Sequence, residues 1–88
     1  MRLDKYLKVS RLIKRRTVAN EACDAGRVLV NDKPARASYD VKEGDVLAIQ
    51  FGARTVTARV VSVKEAVQKQ DAALLYEILD DGTKTAEN

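Results

Sequence analysis

Arg15-Arg16-Thr17-Val18-Ala19-Asn20-Glu21-Ala22-Cys23-Asp24-Ala25-Gly26-Arg27-Val28-Leu29-Val30-Asn31-Asp32-Lys33 is the stretch that decides the fold, because its apolar period changes midway. Up to Ala25 the apolar residues Val18, Ala19, Ala22 and Cys23 recur at helical spacing, with Thr17, Asn20, Glu21 and Asp24 opposite them. This predicts a helix from about Arg15 to Ala25. Gly26 supplies a left-handed residue to end it. Val28-Leu29-Val30 is then extended, Asn31-Asp32 is a turn, and Lys33-Pro34-Ala35 is a return segment that its proline marks as an edge.

Upstream, Leu3, Tyr6 and Leu7 fall at helical spacing while Asp4, Lys5 and Lys8 point away, so residues 2–9 read as a short amphipathic helix. Ser10 to Ile13 is a tight connector. Downstream, Val46 to Phe51 is a strand entered through Lys42-Glu43-Gly44-Asp45, and Gly52 breaks it before an alternating strand from Thr55 to Val63. Residues 64–70 are mostly polar and read as a connector. Asp71 is placed to cap a last helical segment through Ala72 to Leu79. The whole predicts an α+β fold: N-terminal helices packed on a small, mainly antiparallel sheet, with a short C-terminal helical segment. One domain spans residues 1–80, and residues 81–88 form a flexible tail.

The charge is concentrated at the front. Seven of the first twenty residues are Lys or Arg (Arg2, Lys5, Lys8, Arg11, Lys14, Arg15, Arg16), against one acid, Asp4. Residues 1–36 carry ten bases and four acids, whereas residues 37–88 carry six bases and nine acids. Such asymmetry implies a polyanionic partner, with RNA, DNA and anionic lipid all attracted to a basic face, or else a solvated helix surface. The single cysteine excludes an internal disulfide, and the absence of histidine removes imidazole chemistry. No glycine-rich phosphate loop or metal-ligand spacing is present, so an enzyme, a metal and a cofactor are not expected. The charged start lacks a signal peptide's apolar run, and no stretch of 18 apolar residues occurs, which predicts a cytoplasmic chain without membrane contact.

The second helix carries its charges in an order that folding alone disfavours. Lys14, Arg15 and Arg16 crowd its positive N-terminus, and Glu21 and Asp24 lie toward its negative end. A phosphate there relieves the conflict, as do solvent screening or an Asp24–Arg27 pair. Lys33 and Arg36 extend this surface if the hairpin turn folds back beside the helix; protection of an edge strand explains them as well. Asp4, on a helix lined with bases, reads as a structural acid that fixes their directions. Tyr6 and Cys23 read as core residues, and Tyr39, less constrained, as a candidate for facing RNA.

The ordered elements Arg2-Leu3-Asp4-Lys5-Tyr6-Leu7, Arg15-Arg16-Thr17-Val18-Ala19 and Gly26-Arg27-Val28-Leu29-Val30-Asn31-Asp32-Lys33 resemble the S4 RNA-binding domain family. Two departures stand out: Asp32 where the family usually has glycine, and Lys14 where a Ser or Thr often caps the second helix. The resemblance implies the S4-type (αL-motif) fold and an RNA surface made of Arg2, Lys5, Lys8, Arg11, Lys14, Arg15, Arg16, Lys33 and Arg36. Met1 to Thr17, with Ala72-Ala73, Tyr76 and Ile78-Leu79, extends it to the stand-alone branch that serves bacterial ribosome-associated quality control. For that branch the implied partners are 23S rRNA and peptidyl-tRNA on the 50S subunit, together with a tailing factor that brings alanyl-tRNA. The implied role is support of C-terminal alanine tailing, by a monomer. A general rRNA-binding accessory role, in subunit assembly, heat-shock 50S recycling or RNA modification, is the alternative.

Overall fold

The computed structural model describes residues 1–64 and 74–80. Two helices, α1 (Leu3–Val9) and α2 (Arg16–Asp24), precede five strands: β1 (Val28–Val30), β2 (Lys33–Pro34), β3 (Val46–Phe51), β4 (Arg54–Val60) and β5 (Tyr76–Asp80). The strands form one antiparallel sheet in the order β2-β1-β3-β4-β5. Leu3, Tyr6 and Leu7 of α1, with Ala19 and Cys23 of α2, pack onto Val28, Val30, Leu47, Ile49 and Val60 of the sheet. This is the expected α+β arrangement of helices on a small sheet.

The switch at Gly26 is built as a paired C-terminal cap. Gly26 (φ 76°) donates its N–H to the Cys23 carbonyl at 3.0 Å, and Arg27 donates to the Ala22 carbonyl at 2.9 Å. These two bonds satisfy helix carbonyls that would otherwise be orphaned. The next turn is tighter still. Asn31 (φ 52°) and Asp32 (φ 72°) are both left-handed, which matches the right-handed twist of β1 and β2 and pairs Val30 with Lys33. Aspartate tolerates that conformation. Pro34 lies on the edge strand, as its missing N–H requires.

Three expectations need correction. Val18 is 48% exposed, because the buried stripe of α2 is the narrower Ala19–Cys23 pair with Ala22 beside it. The strand expected through Val63 ends at Val60, after which the Val61 and Ser62 N–H groups bond to the Leu75 carbonyl at 2.8 and 3.1 Å. The last segment is a strand and not a helix. Residues 74–75 make a short 3₁₀ turn, and Tyr76–Asp80 then pairs with β4, placing Tyr76 opposite Val60 and Ile78 opposite Ala58. The free edge of β4 offers a ladder of backbone partners, which outweighs the helical spacing of the local apolar residues. The start of that expected helix, most of the 64–70 connector and the 81–88 tail lie outside the described residues.

The C-terminal strand is tied to the first helix by the Tyr6 hydroxyl, which donates to the Leu75 carbonyl at 2.6 Å. Burial pushes the Tyr6 phenol up, so it remains a donor throughout the working pH range. Tyr6→Phe should destabilise the protein by about 1 kcal/mol and not more, because the Leu75 carbonyl keeps its bonds from Val61 and Ser62. Thermal melting of the variant checks this.

Candidate nucleic-acid interface

Asp4 organises the basic end of the molecule. It lies in the first turn of α1, its side chain is only 3% exposed, and it faces α2. Arg2 presents a fork to it, Nε to Oδ1 at 3.2 Å and Nη2 to Oδ2 at 3.4 Å. Arg16 Nη2 donates to Oδ1 at 3.4 Å and Asn20 Nδ2 to Oδ2 at 3.2 Å. The Lys5 backbone N–H donates to Oδ1 at 2.8 Å. Two cations, one capping the start of α1 and one from α2, therefore meet on one carboxylate, yet their side chains stay 52% and 47% exposed. A buried acid holding half-exposed guanidinium groups fixes their direction and leaves donors for a second anion.

Burial by itself would raise the Asp4 carboxyl, but the bonds from Arg2, Asn20 and Arg16, with the charge of Arg16, outweigh it and hold the group at about 2. Its ionised form thus stabilises the fold. That contribution is complete above the ordinary value of 3.8 and is lost as the pH falls through about 2. Because the partner arginines are half-exposed, it is on the order of 1–2 kcal/mol. Acid titration should show this loss of stability between about pH 4 and 2 in the natural chain, and Asp4→Asn should flatten the same window.

The N-terminus of α2 is bare. Its N-cap, Arg15, has extended backbone (φ −119°, ψ 134°) and no side-chain capping bond, and the first turn holds no acid. Lys14 lies one residue before this cap, in the connector. Asp4 supplies through space part of the negative charge that the first turn lacks, so the dipole conflict read from the sequence is partly resolved within the fold. No Asp24–Arg27 ion pair occurs among the described residues. Asp4, Arg16, Thr17, Asn20 and Glu21 line a shallow depression of about 390 Å³ at this end of α2.

The remaining predicted residues fall into two groups. Lys5 and Lys8 lie on α1, Lys5 half-buried and Lys8 exposed, and Arg11 is exposed in the connector with a left-handed φ of 65°. Lys33 and Arg36 are exposed on β2 and just after it. The hairpin lies beside the C-terminal end of α2, where Cys23, Asp24, Pro34 and Arg36 share a surface depression. Since a nine-residue helix is about 13 Å long, this separates them from Arg15 and Arg16 by roughly that length.

Cys23 is buried, and burial, followed by the charges of Asp4 and Asp24, pushes its thiol up to about 11. It is a packing residue. Tyr39 is more constrained than expected: its hydroxyl donates to Asp45 Oδ2 at 3.0 Å, and its carbonyl accepts the Leu3 N–H at 2.8 Å. Two positioning residues escaped the sequence reading. Asn20 had a signal, its i+4 spacing from Arg16 on one helix face. Asp45 had none, because its partners Asn31 and Tyr39 meet it only through the hairpin and the following segment. Among the described residues no cluster of metal ligands occurs, and no helix is long and apolar enough to cross a membrane.

Comparison with known proteins identifies the family and the fold. The S4 domain model matches residues 1–47. The chain is 58% identical over 78 residues to the RQC P-site tRNA stabilizing factor of Halalkalibacterium halodurans, covering 89% of each chain. It is 53% identical over 81 residues to the protein of the same name from Bacillus subtilis, covering 92% of this chain and 94% of that one. Its fold is similar to the structure of heat shock protein 15 from Vibrio cholerae, with a TM-score of 0.81 at 26% identity over 89% of this chain and 80% of the other.

Proposed function

The chain belongs to the S4 domain family, among the RQC P-site tRNA stabilizing factors, and on that premise we propose that it is an RNA-binding factor of ribosome-associated quality control. In this reading it works in the cytoplasm on 50S subunits obstructed by peptidyl-tRNA, touching 23S rRNA and the tRNA together. There it supports C-terminal alanine tailing of the stalled chain by a factor that brings alanyl-tRNA. It does so as a binding protein, with no catalytic step of its own.

The observation that carries the reading is the meeting of Arg2 and Arg16 on buried Asp4, beside the uncapped start of α2. Phosphate oxygens find oriented guanidinium groups, free backbone N–H groups and a helix dipole in one place. Lys5, Lys8, Arg11, Lys14 and Arg15 widen that surface, and Lys33 and Arg36 form its second limb at the hairpin. One small module covers only about 600–1,000 Å² of nucleic acid. Joint contact with rRNA and tRNA therefore gives a selectivity that either contact alone does not. The alternative is a general rRNA-binding accessory role.

Deleting the gene should remove alanine tails from stalled nascent chains, and the natural chain should restore them. A variant with Arg15→Glu and Arg16→Ala should not. Normal tailing in the deletion strain would overturn the quality-control role.

A further inference from the structure

The hairpin and the segment after it enclose a cleft that the helix surface does not use. Lys33, Pro34, Ala35, Arg36 and Tyr39 line an open cavity of about 640 Å³, within the roughly 300–1,000 Å³ range of small-molecule sites. Its lining combines an aromatic ring, a proline ring and two exposed cations. Neither Lys33 nor Arg36 makes an ion pair among the described residues.

The walls are held in place by one carboxylate. Asp45, 9% exposed, accepts from Asn31 Nδ2 at 3.1 Å, from the Tyr39 hydroxyl at 3.0 Å and from the Lys42 backbone N–H at 3.0 Å. The side-chain oxygen of Asn31 in turn accepts the Val46 N–H at 3.0 Å. Hairpin tip, Tyr39 and the start of β3 are thereby fixed to one another, which lowers the ordering cost of filling the cleft. The cleft also adjoins the basic helix surface: residue 40 bridges to Arg2, and the Tyr39 carbonyl holds the Leu3 N–H.

We propose that this cleft takes one unstacked ribonucleotide of the bound RNA, its base against Pro34 and Tyr39 and its phosphate on Lys33 and Arg36. Stacking on an aromatic ring is tolerant of base identity, so the site selects an extruded nucleotide and not a sequence. The inference rests on the RNA-binding reading and adds to it a preference for a bulged or looped structure.

The test uses two RNA stems, one fully paired and one carrying a single 2-aminopurine bulge. The natural chain should bind the bulged stem about tenfold more tightly and change the fluorescence of the 2-aminopurine. Tyr39→Phe, which keeps the ring but loses the bond to Asp45, should still prefer the bulged stem, though by less than the natural chain, and Tyr39→Ala should abolish both effects. Lys33→Ala with Arg36→Ala, at two exposed positions, should also abolish the preference, leaving the two stems bound equally, so the test does not depend on the folding of the Tyr39→Ala variant. Excess free adenosine monophosphate should not compete for the bulged stem; competition at concentrations near that of the RNA would mean a free-nucleotide site and overturn the proposal. Equal affinity for both stems, or a preference that survives both the Tyr39→Ala and the Lys33/Arg36 changes, would overturn it as well. Loss of binding to both stems in the natural chain would instead remove the RNA-binding reading beneath it.

Discussion

A chain carrying Arg15→Glu together with Arg16→Ala will no longer sediment with 50S subunits, while remaining folded. Charge-assisted hydrogen bonds contribute about 1.5–3 kcal/mol each, so losing two and adding a repulsive carboxylate weakens binding by more than about 100-fold. The fold has little to lose at Arg15, which is exposed and makes no capping bond. A glutamate there even complements the helix dipole, by about 0.3–1 kcal/mol. Arg16→Ala removes one of the bonds on Asp4 and leaves those from Arg2 and Asn20. Alanine at position 16 removes the cation without adding a charge. Arg16→Glu would set a second carboxylate against buried Asp4 and confuse lost binding with lost stability. Sedimentation and thermal melting on the same sample separate the two, and a folded variant that binds within a few-fold of the natural chain would sink the proposed surface.

Salt should weaken binding steeply. If about five phosphates are neutralised, the slope of log affinity against log salt is near −4 to −5, a loss of about 250- to 1,000-fold between 50 and 200 mM. Arg16→Ala should make the slope shallower by about one. A slope near zero, measured by titration of a structured RNA, would mean that the basic face takes no part. Duplex DNA should compete poorly, since RNA shape and 2′-hydroxyl groups carry the selectivity.

The parts of this fold that were legible are those whose cause is local. Gly26 ends α2 because only a left-handed residue closes the two cap bonds, and both the glycine and the extended apolar run Val28-Leu29-Val30 are visible in the chain. Strand β3 reads from Val46 to Phe51 because its apolar run is bounded by Gly44 and Gly52. Strand β5 does not, because Tyr76, Ile78 and Leu79 also fit a helical spacing and the deciding contact is with β4. The bond that anchors this end joins residues 69 positions apart.

The candidate site divides in the same way. The excess of Lys and Arg was plain, and so was the odd placement of one acid among them. That Arg2 and Arg16 share Asp4 follows from the packing of α1 on α2, which brings together residues 12 positions apart. The Asn31–Asp45–Tyr39 network had no local trace, because it joins a turn, a loop and a strand entry that meet only in the folded chain.

The most direct test of the central claim is sedimentation of the protein with 50S particles before and after puromycin releases the nascent chain from its tRNA and the tRNA is washed away. If the chain binds rRNA and P-site tRNA together, it will be enriched on particles that carry peptidyl-tRNA and will leave them once the tRNA is gone. Unchanged retention on the emptied subunits would contradict that account and leave a general rRNA-binding protein.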